Sequence, residues 1–342
     1  MNILEGFNVF NNVHIKGVAT YHPKYKVENK EFITHFKQYG QDEHLKHLMS
    51  KVGRKVRTHA EAGETSITMS VEAANRALEN AGITAEDIDI IISATDTPEY
   101  LMPSCALIIR NKIGAKNANV TFDMNSNCVG MVNAMDVAWK YLKTDKKYKR
   151  AMVVGSLVVS PFTKKDDMIT SPLVGDGGAA IILEAREDVE ERGFLSSGML
   201  TDDRYNDTIR FPACGLQNII KEETDTNENK MQWNPFDFSF LAGEWTRLIE
   251  SLLEEQDIKA NDVSGYFMSQ FSKDDIISTM NKLGVDNEKA TFVADKYGYT
   301  GTTSPIMALN DTLKERSFKK DDHIIFCSVG AGYVMGAMLY KW

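Results

Sequence analysis

Histidine is nearly missing from the body of this chain: there are seven, and none falls between His59 and His323. No HExxH or similar ligand set is present, so a dedicated metal site is excluded from the reading, and no resident cofactor is expected. Cysteine is equally sparse. Cys105, Cys128, Cys214 and Cys327 stand apart, with no CxxC or paired spacing. In a chain with no export signal they read as free thiols in a reducing compartment, which excludes a disulfide scaffold. The N-terminus shows no charged stretch followed by an apolar one, so no signal peptide is expected and the cytoplasm is the expected location. Long apolar runs are absent too. The longest, around Ile90 and Ile324, are strand-length, which argues against a membrane span. Positive charge is short: Lys and Arg number 39 against 48 Asp and Glu, a net charge of −9. An acidic surface with no basic cluster argues against nucleic acid as a partner.

What is present is an ordinary globular composition, 43% hydrophobic and 25% charged, over 342 residues. That length suits two fused halves of about 150 residues each, with enough core to fold without disulfide or metal. Residues 66–82 carry apolar positions at helical spacing and end at Gly82, a natural C-cap. Residues 88–94, 118–123, 150–155, 179–183 and 322–327 are short β-branched or apolar runs that suit strands buried on both faces. Residues 129–143 read as a helix. This alternation predicts a layered α/β fold.

A weak internal repeat organises these elements. Leu78–Ala94 (LENAGITAEDIDIIISA) lies over Leu253–Ser269 (LEEQDIKANDVSGYFMS) without a gap. Each copy is a helix end, a turn and a buried strand, followed by a second strand, a tight turn and a helix. Each half closes on an apolar strand with a Gly-rich turn, GDGGAAIIL and SVGAGYVMGAML. We draw the halves as 1–184 and 185–342. The polar stretches 24–62 and 186–245 read as insertions that cap the core and shape an entrance, with 221–230 a solvated surface loop.

Cys128 is the residue that carries chemistry. It sits in DMNSNCVGMVNAMDVAWK, where a strand runs into a short polar turn and a helix begins. A thiol at a helix N-terminus feels unpaired N–H groups and a partial positive charge, both of which favour the nucleophilic thiolate. The other three cysteines lack such a setting and read as structural. SVGAGYVMG is not a dinucleotide loop, because the sequence after it leaves no room for the helix, strand and ribose-binding acid of a Rossmann unit.

The stretches GETSITMSVEAANRALENAGITAEDIDIIISATDTPEYLMPS, NCVGMVNAMDVA, LVGDGGAAIILE and SVGAGYVMGAML together resemble the β-ketoacyl-acyl-carrier-protein synthase III family of the thiolase superfamily. The resemblance implies a thiolase-like duplicated five-layered α/β/α/β/α fold. It implies a homodimer, or a heterodimer with a related chain, and an active site where the two halves meet. It implies an acyl-CoA or acyl-carrier protein thioester as donor, with the acyl group carried on Cys128. The oxyanion hole would come from the Cys128 N–H and an N–H near Ala331. Lys51 and Arg54, in SKVGRKVR, match the segment that contacts a pantetheine phosphate.

Two positions depart from the family pattern. The family's His-Gln-Ala-Asn run is here Ser269-Gln270-Phe271-Ser272, and Tyr299 stands where an asparagine follows the Tyr-Gly pair. Ser269 and Tyr299 can each donate one hydrogen bond, but neither is an acid–base group near pH 7. Losing one oxyanion donor costs roughly 10²–10³ in rate. The expected function is therefore acyl transfer through Cys128, in specialised-metabolite or fatty-acid-derived biosynthesis. Its acceptor would be a preformed amine, hydroxyl or carbanion rather than malonyl. The alternative is a catalytically incomplete partner subunit of a heterodimer. A hydrolase, or a relative that joins two acyl chains through a glutamate, is a third reading; Glu99 lies away from that glutamate's place. Beyond Ser272, Lys273-Asp274-Asp275 replaces the family's basic docking residues.

Overall fold

A computed structural model describes residues 10–342. Residues 1–9, with the start of the expected N-terminal half and the region read for an export signal, lie outside the described residues.

Nine strands form the main sheet: β1 (Phe10–Tyr21), β2 (Ile90–Thr95), β3 (Val120–Met124), β4 (Arg150–Leu157), β5 (Gly177–Asp188), β6 (Gly193–Thr201), β7 (Val263–Met268), β8 (His323–Gly330) and β9 (Val334–Lys341). Their spatial order is β7-β8-β9-β6-β1-β5-β4-β2-β3. The pairing repeats. β2 runs parallel to β4, β4 antiparallel to β5, and β5 antiparallel to β1. In the same way β7 runs parallel to β8, β8 antiparallel to β9, and β9 antiparallel to β6. The two sets join only where Val13 of β1 pairs with Gly193 of β6.

Helices complete the layers: α1 (Asn29–Phe36), α2 (Asp42–Val52), α3 (Ser66–Ala81), α4 (Cys105–Ile113), α5 (Gly130–Thr144), α6 (Leu241–Glu255), α7 (Lys273–Lys282) and α8 (Ser304–Glu315). α5 packs on β2 and β4 and also on β8 and β9, while α8 packs on β7 and on β1 and β5. These two form the middle layer. α3 covers the outer face of the first set of strands, and α6 with α7 covers the second. This is the layered α/β/α/β/α architecture that the resemblance implied.

Local chemistry explains the elements. α3 starts where the Thr65 hydroxyl accepts from the Thr68 N–H at 3.2 Å. It stops at Gly82, whose φ of 64° is open to glycine at little cost. β2 is buried throughout because helices cover both faces. α5 buries Met131, Val132, Met135, Ala138 and Leu142 completely. Each large apolar side chain so buried contributes about 1.5–3 kcal/mol, so tertiary packing rather than propensity holds this helix.

Two expectations are corrected. β3 is half-buried rather than buried on both faces, because it is the last strand of its side of the sheet. In the second half, the second strand expected after the 253–269 copy does not form; among the described residues only Ala290 bridges to Tyr266 of β7. The Gln270 side chain replaces the ladder there. Its amide donates to the Thr291 carbonyl at 3.0 Å and accepts from the Val293 N–H at 2.8 Å. The backbone groups that would have paired as a strand are satisfied by a side chain instead.

Candidate active site

The nucleophile turn lies between β3 and α5. Asn127 adopts φ 52°, a left-handed conformation that asparagine tolerates better than most residues. Its amide reaches the Ala331 carbonyl at 3.0 Å, tying the turn to the β8–β9 hairpin. Gly330 of that hairpin lies so close that a Cβ there would come within 2.8 Å of the Ser126 carbonyl oxygen and 3.4 Å of the Cys128 nitrogen. The Ser328 hydroxyl holds the Cys128 carbonyl at 2.9 Å. At the start of α5, the Met131 N–H is an end-of-helix donor that needs a partner. It donates to the Thr302 hydroxyl at 2.8 Å, a contact made by the second half of the chain.

The Cys128 sulfur faces two polar side chains. The thiol donates to Oδ2 of Asp96 at 3.7 Å. The Tyr299 phenol hydrogen-bonds the sulfur. Tyr299 in turn sits 3.2 Å from the hydroxyl of Ser269, which is fully buried at the end of β7. Of the two departing positions, Tyr299 thus lies beside the cysteine and Ser269 stands behind it.

The electrostatics reverse one expectation. The helix N-terminus was expected to favour the thiolate. Instead burial, and then the Asp96 carboxylate beside it, push the Cys128 thiol well above its usual range; the Tyr299 hydrogen bond opposes them. Burial also raises Asp96, to about 6, against the hydrogen bond from Cys128. Tyr299 is raised by burial and by the charge of Cys128, so its phenol stays protonated as a donor. Burial and the Asp96 charge thus both favour the thiol over the thiolate.

Tyr299 is placed by the first half of the chain. Its N–H donates to the Leu173 carbonyl and its carbonyl accepts from the Gly175 N–H, both at 2.9 Å. Gly175 is the first residue of the GDGG run. A Cβ there would come within 1.9 Å of the Tyr297 carbonyl oxygen, so only glycine fits. Asp176 fixes this turn by accepting from the N–H groups of Ala60, Val159 and Ser160 at 2.8–3.0 Å.

A cavity of about 170 Å³ opens over Cys128, and Asp96, Tyr299 and Ala331 line it too. Its far wall comes from the 186–245 insertion, through Ile209, Phe211, Met231, Trp233, Phe236 and Phe238. Phe271 joins that wall, stacked on Trp233 with ring centroids 5.2 Å apart and edge-on to Tyr299. The 186–245 segment thus forms an aromatic lining.

The phosphate-contact reading of Arg54 is corrected. Arg54 is 2% exposed, and its guanidinium donates to the carbonyls of Val52, Leu173, Gln270 and Phe271 at 2.6–3.1 Å. Those bonds pin the Ser269–Phe271 segment and leave the group no route to a ligand. Lys51 is exposed, and its charge opposes the burial that raises the Asp275 carboxyl. Asp274 and Asp275 open α7, where Ser272 caps the helix by accepting from the Asp275 N–H at 3.2 Å. Their negative charge serves a helix N-terminus.

Sequence reasoning missed Asp96. The available signal was a carboxylate ending the apolar strand IIISAT, a place where a charge needs a reason. Thr302 and Phe271 were missed as well, because only the fold brings them to the cysteine.

Residues 122–203 match the family profile described as 3-oxoacyl-[acyl-carrier-protein (ACP)] synthase III, and residues 253–342 match that of its C-terminal part. The chain is 31% identical over 334 residues to the β-ketoacyl-[acyl-carrier-protein] synthase III of Clostridium perfringens (strain SM101 / Type A), covering 96% of this chain and 99% of the relative. It is 30% identical over 330 residues to the protein of the same name from Clostridioides difficile (strain 630), covering 96% and 98%. Among solved structures, the 3-oxoacyl-[acyl-carrier-protein] synthase III of Aquifex aeolicus VF5 superposes with a TM-score of 0.83 at 26% identity, over 97% of this chain and all of that one.

Proposed function

The chain belongs to the 3-oxoacyl-[acyl-carrier-protein] synthase III family, and we propose that it is an acyltransferase of that type whose acceptor is not a malonyl thioester. In this reading Cys128 takes the acyl group from acyl-CoA or an acyl-carrier protein. The carbonyl oxygen is received by the Cys128 N–H and an N–H near Ala331, with the Tyr299 phenol as a further donor. The acyl chain lies in the aromatic cavity, and Lys51 is left to meet the pantetheine phosphate. The acceptor then takes the acyl group. A second copy, or a related chain, would pair at the outer edge of β3.

One observation carries the proposal: the cysteine sits at an apolar cavity between a carboxylate and a phenol, with no imidazole among its neighbours. Decarboxylation of a malonyl thioester calls for donors to the developing enolate in a site tolerant of a second carboxylate. Here Asp96 already occupies that side of the sulfur. Acyl loading needs only the nucleophile, the oxyanion donors and room for the chain, which supports transfer over condensation and over the partner-subunit alternative.

Intact-protein mass spectrometry tests this. Incubation with a panel of acyl-CoA and acyl-carrier thioesters is expected to add the acyl mass to the wild-type chain and nothing to Cys128→Ala. The loaded chain is expected to release no carbon dioxide from malonyl thioesters above the Cys128→Ala background. A wild-type chain that takes no acyl group from any donor would overturn the proposal and point to a catalytic partner chain.

A further inference from the structure

We propose that Asp96 is the acid–base residue of this site, taking the Cys128 proton during acyl loading and the proton of an amine or hydroxyl acceptor during transfer. This rests on the acyltransferase reading above.

The geometry sets Asp96 apart. Among the described residues it is the only carboxylate lining the cavity, and its Oδ2 faces the sulfur at 3.7 Å. Its Oδ1 is buried and has no hydrogen-bond partner among the described residues. A buried carboxylate with a structural role normally has its oxygens satisfied, because an unmet acceptor costs free energy. Asp176, in the same half of the fold, shows that pattern, with donors on both oxygens. Asp96 instead has one oxygen on the thiol and the other left unmatched. No other neighbour can do the work: Ser269 is a neutral hydroxyl, and the Tyr299 phenol is held protonated. Burial brings the Asp96 carboxyl to about 6, a useful value for moving protons near neutral pH.

The proton balance closes on this one residue. As the sulfur attacks the thioester carbonyl, the S–H bond breaks, its proton passes to the Asp96 carboxylate, and a new S–C bond forms. The C–S bond to the donor then breaks, and the departing thiolate takes the proton from Asp96. In the second half the acceptor attacks the acyl carbon and gives its N–H or O–H proton to Asp96. The C–S bond to Cys128 breaks, and the Cys128 thiolate takes that proton back. No oxidant, reductant or further reactant is needed. The same negative charge repels an acceptor that carries its own carboxylate at the reacting end, which selects for neutral protic nucleophiles.

Two rates measured on Asp96→Asn and wild type separate this role from a structural one. Acyl loading from the best donor, followed by intact mass, is expected to fall about 10²-fold or more. The decline of the wild-type loading rate as pH drops through about 6 is expected to vanish in the variant. Alkylation by iodoacetamide needs only the thiolate, and removing the neighbouring charge lowers the thiol pKa, so its rate is expected to rise. Opposite movement of the two rates supports the proposal and shows that the thiol remains in place. Loading at the wild-type rate, or both rates falling together, overturns it. If wild type itself takes no acyl group, the acyltransferase reading fails and this proposal falls with it.

Discussion

The two halves of the chain place different chemistry at matching positions. In the internal repeat Asp96, just beyond β2, corresponds to Phe271, just beyond β7, and both line the cavity. Likewise Cys128 and Thr302 each stand two residues before the first residue of a middle-layer helix, α5 or α8. The first half supplies the thiol and the carboxylate. The second supplies an aromatic wall, a phenol and a hydroxyl that caps the first half's helix. A duplicated frame brings two helix starts together, and here only the one at Cys128 opens on the cavity. The difference lies largely in side chains, since β2–β4–β5 and β7–β8–β9 pair alike beneath them.

The comparison can be broken most severely at the seam. Gly175→Ala pushes a methyl group into the Tyr297 carbonyl oxygen, 1.9 Å away, and is expected to cost at least about 3 kcal/mol in thermal or denaturant unfolding. Wild-type stability in that variant would mean that the two halves are not locked through this turn. Next in size, the charged end carries a cost that the aromatic end does not. The folded Asp96 carboxyl sits at about 6 against an ordinary 3.8, so the fold is penalised while this group is ionised, above pH 6. The penalty is relieved as pH falls through about 6. Asp96→Asn is therefore expected to stabilise the protein at pH 8 by up to about 3 kcal/mol, with the gain shrinking below pH 6. Denaturant titrations at the two pH values measure this, and a gain independent of pH would contradict it. Thr302→Val keeps the shape but strands the Met131 N–H, with an expected loss of about 1–3 kcal/mol. An unchanged midpoint would show that the second half does not support the nucleophile helix in this way.

The sequence made the frame legible because burial leaves a local trace. The β-branched run at Ile90–Ile92, the Gly82 cap and the repeat all reflect contacts made within a few residues. Cys128 was legible for the same reason, as a strand, a turn and a helix start in succession. The resemblance then led to Tyr299, which lies beside the sulfur, and to Ser269, which meets Tyr299. Arg54 was misread because its partners, the carbonyls of Leu173 and Phe271, are remote in sequence; a basic residue looks the same whether it meets a phosphate or the backbone. The thiol's raised pKa was illegible because it depends on burial and on Asp96, which arrives from another strand. The missing strand after β7 was hidden in a side chain, since nothing in Gln270 itself announces that it will take a ladder's place.

The aromatic wall and the reactive groups sit on separate stretches of chain. Cys128, Asp96 and Tyr299 are fixed by the strands, hairpin and turns of the duplicated frame, while much of the aromatic lining arrives on residues 209–238. Substitutions in that segment can reshape which acyl group is accepted without moving a reacting atom. In evolutionary terms, substrate choice and bond-making can drift independently, and a lineage can explore new acyl donors while its chemistry stays under selection.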